Sequence, residues 1–287
     1  MLENRIGLSE KSEKSFERYL FRYHREKLDL VDKLINIFLK IFANICEESL
    51  KKSGMSEGTP NSIEEYFVST DLLASEDSNL VCSEAAFNLL CLAKRQLLAA
   101  RRLLFSGYLE SMVALLRGSA ESLYYLEICR QDFAQAKDWL RGKYIGGKNE
   151  PKGLLLHKVI YKYRRSKEWM LWGRLSGMGV HPKASCRVAS LAGEFIGLFT
   201  EHDNTKLPVE NARYIELFME QMEAYLDDLF LNIIQFSYDL NLYLRDIYKE
   251  AFNNAKDAKE ELNEVKGELI SFCQNISNRH RQKTRQH

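Results

Sequence analysis

The sequence is poor in the residues that break helices, with only 4 prolines and 15 glycines among 287 residues. Folds built from short strands and tight turns need more of both, because these residues supply the backbone geometry of turns. Long stretches without them favour long helices. We therefore predict an all-α fold. It is an elongated bundle of long amphipathic helices, with an irregular Gly/Pro-containing insert over residues 176–208 and a long C-terminal helix.

Long apolar runs are also missing. No stretch of about 18 consecutive apolar residues occurs, so the sequence predicts no membrane insertion. Residues Met1 to Lys14 are polar and charged and lack the apolar core of a signal peptide. The six cysteines form no C-x-x-C pair, and we expect buried, reduced thiols rather than a disulfide framework. The expected location is the cytoplasm.

A strong charge of one sign is absent too, since the formal net charge is +1. A strongly basic chain would have pointed to nucleic acid. One local exception is the basic segment of residues 158–167, in which lysines and arginines alternate with Tyr161 and Tyr163. That mixture suits RNA, although a solvated helix face with inward tyrosines explains it as well. No H-E-x-x-H or Glu-x-x-His pattern occurs, so we expect no metal and no cofactor.

Apolar residues recur every three or four positions along several segments, which is the spacing of a buried helix face. This pattern predicts long helices over about residues 12–52 and 80–129, and from residue 210 onward. Ser106-Gly107 is expected to bend or divide the second of these helices. Asp132 is expected to cap a short helix that follows.

The chain is predicted to comprise three segments. Residues 1–75 are N-terminal helices that pack on the bundle, and residues 76–252 are the core bundle with the candidate site. Residues 253–287 form a polar helical extension and tail, because the apolar stripe thins there and the last residues are basic.

One candidate site lies on the long central helix. Arg117 and Glu121 are one helical turn apart, at the border of an apolar face formed by Leu109, Val113, Leu116, Ala120 and Leu123. A guanidinium and a carboxylate at this spacing can pair. The pair is either a partly exposed structural contact or part of a ligand-binding centre.

A second candidate site follows the predicted helix around Trp172. Ser176 and His181 lie in or beside a Gly-containing turn, and the proline after His181 holds that residue in an extended backbone. Both side chains could therefore line one cleft. A purely structural role for His181 is an equally good interpretation of the sequence.

These two motifs resemble a group of uncharacterised bacterial helical proteins of unknown function. Those proteins carry Arg-x-x-x-Glu in a central helix and a later Leu-Ser-x-x-x-His-Pro segment. This chain has Arg117-x-x-x-Glu121 and Leu175-Ser176-x-x-x-His181-Pro182, and the resemblance spans about residues 80 to 245. It implies a helical bundle with a shared polar centre and brings no activity.

A further resemblance involves Arg174 and His181, which are separated by six residues. The spacing is similar to the Arg-x4–6-His signature of HEPN ribonucleases, which are helical, often dimeric and metal-independent. It implies that Arg174 and His181 are catalytic, that RNA is the substrate and that the chain is a homodimer. Arginine stabilises phosphate charge, and histidine moves protons near neutral pH. Leu175 departs from the pattern, because a polar residue usually follows the arginine.

The sequence thus leaves three functions open. The first is a helical protein in which Arg117, Glu121 and Ser176 form a polar centre with His181 that binds a small polar ligand or organises the bundle. The second is a HEPN-like ribonuclease of a toxin or phage-defence type. The third is an interaction scaffold that acts through the C-terminal helix.

Overall fold

The computed structural model describes residues 10–53, 75–142 and 209–284, and this part of the chain forms eight α-helices and no strand. The predicted all-α helical bundle is therefore confirmed. The chain divides into two compact units, and both are helical where the structure describes them. Unit 1 comprises residues 1–57 and 191–287, and unit 2 comprises residues 58–190. The three-segment division predicted from the sequence stays a prediction.

Unit 1 contains helices α1 (Glu10–Tyr23), α2 (Arg25–Ser53), α6 (Val209–Ile247), α7 (Lys249–Asn254) and α8 (Ala258–Thr284). The helix predicted over residues 12–52 is thus two helices that meet at His24. The bend leaves the backbone hydrogen bonds intact, because the His24 N–H donates to Leu20 O at 2.8 Å and His24 O accepts from Leu28 N at 3.0 Å. A smooth apolar stripe did not reveal this bend.

The core of unit 1 lies where α2 packs against α6, α7 and α8. Every member of the apolar stripe predicted for α2 is buried: Leu28, Val31, Leu34, Ile35, Phe38, Ile41, Phe42 and Ile45. The Asn241 amide of α6 donates to Leu34 O of α2 at 2.9 Å, which ties the two helices together inside the core. Burial of these stripes is the main stabilising contribution, at roughly 1.5–3 kcal/mol for each large side chain.

The helical stretch predicted from residue 210 is interrupted twice. Helix α6 ends at Ile247, and a turn at residues 255–257 separates α7 from α8. In that turn Asp257 has φ 65°, a conformation that short polar side chains tolerate. Helix α8 then packs on α2 through the buried residues Ala258, Leu262 and Val265.

Unit 2 contains helices α3 (Ser78–Phe105), α4 (Leu109–Gln131) and α5 (Phe133–Leu140). Helices α3 and α4 form a hairpin, and the division predicted at Ser106-Gly107 is confirmed, with Gly107 at φ 80°. The predicted cap of α5 is confirmed as well, because the Asp132 carboxylate accepts a bond from Gln135 N at 3.1 Å. The helices predicted over 63–74, 154–165 and 167–175 and the insert over 176–208 lie outside the described residues.

None of the described helices combines the length and the apolar character that a membrane span requires.

Candidate functional site

The Arg117–Glu121 pair predicted on the central helix is present on α4. Arg117 Nε donates to Glu121 Oε1 at 3.0 Å, and the two side chains are 20% and 28% exposed. The apolar face that they border is buried throughout, as predicted. A charged pair is thus held half-buried beside a fully apolar surface. Its geometry supports the structural contact, whereas a role in ligand binding stays a prediction.

A polar seam between α3 and α4 fixes the rotation of the helix that carries this pair. The Ser119 hydroxyl donates to Ala93 O at 2.9 Å, and Ser122 Oγ lies 3.2 Å from Gln96 Oε1. A Cβ on Gly118 would stand 2.7 Å from Nε2 of the Gln96 side chain, so the glycine leaves room for that amide between the two helices. Arg117 lies two residues before Ser119, or about 200° around the helix, and is therefore directed away from α3.

This seam was missed from the sequence. The only signal was the run of small residues Gly118-Ser119-Ala120 in the middle of a helix. Such a run permits a close helix contact but does not identify the partner helix.

The other predicted site residues, Arg174, Ser176 and His181, lie outside the described residues. Their proximity to Arg117 and Glu121 therefore stays a prediction, as does their role as catalytic or ligand-binding groups.

A buried carboxyl group occupies another position in unit 2. Glu84 on α3 is only 5% exposed. Burial raises the pKa of this carboxyl to about 7, and a hydrogen bond with Asn88 acts in the opposite direction. Glu84 therefore titrates close to neutral pH, two to three units above an ordinary glutamate. The sequence pattern gave no indication of it, because glutamates are usually exposed.

Four of the cysteines in the described part of the chain, Cys46, Cys82, Cys91 and Cys129, form no disulfide. Burial raises the pKa of Cys82, and it raises the pKa of Cys129 to about 12. Because the thiolate is the reactive form, these two thiols are poor nucleophiles at neutral pH. Cys91 and Cys129 are buried, as expected from the sequence, whereas Cys46 and Cys82 are only partly buried.

Unit 1 contains a buried polar cluster that the sequence did not reveal. Lys27 of α2 forms an ion pair with Asp227 of α6, and the Lys27 ammonium lies 5.5 Å from the centre of the Phe230 ring. His24 Nδ1 lies 2.9 Å from Lys27 Nζ, and His24 Nε2 lies 3.4 Å from Glu223 Oε2. The cluster joins the α1–α2 bend to α6 across 200 residues of sequence.

A groove of about 670 Å³ runs between α2 and α8. Its lining comprises Lys33, Asn36, Ile37, Leu39, Lys40, Ala43, Glu261, Glu264 and Val265. Ile37 and Val265 are buried, whereas Asn36 and Ala43 are exposed. The groove is therefore apolar at its base and open to solvent at its rim.

Two ion pairs cross from α2 to α8 along the groove. Lys33 Nζ lies 2.6 Å from Glu268 Oε1, and Lys40 Nζ lies 2.5 Å from Glu261 Oε1. The hydrogen bond with Glu268 raises the pKa of Lys33, and the charge of Glu264 adds to this effect. The order of these contacts shows that α8 runs antiparallel to α2.

Within residues 10–53, 75–142 and 209–284, no three or more His, Cys, Asp or Glu side chains are arranged to hold a metal ion. Compared with protein-family models, with curated proteins and with solved structures, the chain shows no match.

Proposed function

We propose that this chain is an interaction protein whose groove between α2 and α8 binds an amphipathic helix of a partner protein. The observation that carries the proposal is the groove itself, with its apolar base, its charged rim and its position beside the C-terminal helix. Binding of a helix in such a groove is a common mode of protein recognition.

The dimensions of the groove suit a helix. On α2 its lining extends from Lys33 to Ala43. At 1.5 Å per residue these positions span about 15 Å, or nearly three helical turns. A docked helix would present apolar residues at positions i, i+3 or i+4, and i+7 over that distance.

The charges of the groove specify the partner further. The ammonium groups of Lys33 and Lys40 are paired with Glu268 and Glu261. Among the described residues Glu264 has no such ion pair of its own, and it is exposed at the rim. A partner helix should therefore carry a lysine or arginine at the position that faces Glu264. Because the groove is open, this contact would weaken as salt concentration rises.

The test is a selection of amphipathic helical 20-residue peptides displayed against the full chain. The affinity of the selected peptides should fall at least ten-fold when Ala43→Trp fills the groove. It should fall by the same factor when Glu264→Lys reverses the charge at that position of the rim. Two matched controls lie on α8 outside the groove lining, namely Asn263→Trp for bulk and Lys266→Glu for charge. Peptides that bind all four variants with the wild-type affinity would refute the proposal.

A second candidate function is the binding of a small polar ligand at Arg117 and Glu121. The half-buried position of their pair supports it, since a guanidinium in a partly desolvated setting binds carboxylates and phosphates well. A panel of carboxylates and phosphates would be tested by thermal shift. A ligand of this site should stabilise the wild type but not Arg117→Gln, whereas Arg130→Gln on the exposed end of α4 should behave as the wild type. Equal stabilisation of all three proteins would exclude the site.

The HEPN-like ribonuclease remains a proposal from the sequence, resting on Arg174 and His181. Its test is incubation of the chain with single-stranded RNA in EDTA, with His181→Ala as the variant. Cleavage by the wild type that is lost in a folded His181→Ala protein would support it. An inactive wild type would remove it.

A further inference from the structure

His24 occupies an unusual position for a titratable side chain. It lies at the bend between α1 and α2 and is only 3% exposed. Its ring stacks on Phe230 of α6 with centroids 5.5 Å apart, and Tyr19 of α1 lies 5.6 Å away. The imidazole is therefore packed into the joint between three helices, where an added charge would be poorly hydrated.

The contacts of the ring favour one arrangement of its protons. An ammonium group has hydrogen-bond donors only, so Lys27 Nζ at 2.9 Å requires a lone pair on His24 Nδ1. The other nitrogen, Nε2, faces the Glu223 carboxylate at 3.4 Å, which is an acceptor. This geometry fits a neutral imidazole that carries its proton on Nε2.

Protonation of Nδ1 would disrupt this arrangement. It would direct an N–H group at the Lys27 ammonium and place two cations in direct contact. Among the residues that the structure describes, Lys27 from α2 and Glu223 from α6 contact the ring with charged groups, and Asp227 from α6 lies behind Lys27. Asp227 already pairs with Lys27, and the Glu223 side chain is 38% exposed, which leaves its attraction partly screened by water. Tyr19 contributes an aromatic face from α1. Arg22 and Arg25 flank the bend on its exposed side.

We propose that the His24 joint is a pH-sensitive latch, which holds the α1–α2 bend on α6 at neutral pH and loosens when His24 takes up a proton. A histidine exposed to water titrates near pH 6.5, whereas a second proton on the latched ring would point at the Lys27 ammonium. Acid therefore favours the released form. One proton couples to the transition, so the released population rises by at most about ten-fold for each pH unit below about 6.5. This device is independent of the helix-binding groove.

The experiment follows hydrogen exchange of the full chain by mass spectrometry between pH 7.5 and 5.5, with rates corrected for intrinsic exchange. Peptides that cover residues 16–30 should lose protection on acidification, by up to about ten-fold at pH 5.5, while peptides from the middle of α2 keep theirs. The variant His24→Gln should abolish the pH response. The matched control His280→Gln removes a different histidine of unit 1 and should retain it.

A second measurement keeps the proposal testable if His24→Gln does not fold. Nitrogen-15 spectra of the wild-type histidine rings at pH 7.5 should contain the signal of a neutral imidazole with its proton on Nε2. The absence of this signal from the His24→Gln sample assigns it to His24. If that variant does not fold, selective labelling provides the assignment. A His24 ring that is cationic at pH 7.5 would overturn the proposal. So would a pH response that survives in a folded His24→Gln protein.

Discussion

The Lys27–Asp227 ion pair gives the sharpest test of how unit 1 is held together. The two side chains are only 10% and 12% exposed, and they join α2 to α6. Removal of Asp227 leaves the Lys27 ammonium buried beside Phe230 without this carboxylate, and removal of Lys27 leaves the Asp227 carboxylate buried without this ammonium. We therefore predict that Asp227→Ala and Lys27→Met each destabilise the protein strongly, whereas the double variant Lys27→Met/Asp227→Leu is far less affected.

The magnitude follows from the burial of the pair. Breaking a buried ion pair by removing one partner costs about 3–5 kcal/mol, mainly because a desolvated charge remains. Replacing both charges by apolar groups of similar size removes that penalty, and such replacements are often neutral or stabilising. The coupling free energy between the two sites should thus be several kcal/mol. By contrast, exposed ion pairs contribute about 0–1 kcal/mol, which is the expectation for Lys33–Glu268 at the groove.

The assay is urea unfolding at pH 7.5 and 25 °C followed by far-UV circular dichroism. With a slope of about 1–3 kcal/mol per molar urea, a loss of 4 kcal/mol lowers the midpoint by roughly 1–4 M. The three tryptophans, Trp139, Trp169 and Trp172, all belong to unit 2, so their fluorescence gives a parallel transition for that unit. A loss below about 1 kcal/mol in both single variants, or effects that simply add in the double variant, would refute the reasoning.

Three further predictions concern unit 2. Because the pKa of Glu84 is raised from 4.5 to about 7, ionisation of this carboxyl favours the unfolded chain. Glu84→Gln should therefore leave the free energy of unfolding nearly unchanged at pH 4 and increase it by up to about 3 kcal/mol at pH 8. Urea titration at both pH values measures the difference. Gly118→Ala adds a Cβ that meets the Gln96 amide, so its gain in helix propensity of about 1 kcal/mol should be fully realised only in a Gln96→Ala background, where that amide is absent. Equal effects in thermal melts of both backgrounds would contradict this. Asp132→Ala should lower the free energy of unfolding by about 1 kcal/mol, because it removes the cap of α5. Asp132→Asn should retain most of the stabilisation that the cap provides, as measured in the same melts.

The parts of this fold that follow from local rules could be predicted from the sequence. The stripe of α2, the division at Ser106-Gly107 and the Asp132 cap depend on residues within a few positions of one another. The Arg117–Glu121 contact belongs to the same group, because the pitch of a helix alone brings residues four apart together. The bend at His24 was missed since it breaks neither the apolar periodicity nor the backbone hydrogen bonds. The seam of Gln96 and Ser122 was missed because it depends on which helix lies opposite.

To predict an interaction between distant segments, one must know the rotation and the register of the packed helices. Broad apolar stripes in the sequence leave both undetermined. Lys27 stands beside the stripe of α2 and by itself looks like a solvated lysine. Its burial becomes tolerable only when α6 places Asp227 opposite, 200 residues away. Sliding α6 by one turn would keep much of the apolar contact but would separate the two charges, at a cost of several kcal/mol. The Lys27–Asp227 ion pair, which was hardest to predict from the sequence, therefore discriminates most strongly between the native register of α6 on α2 and registers shifted by one turn.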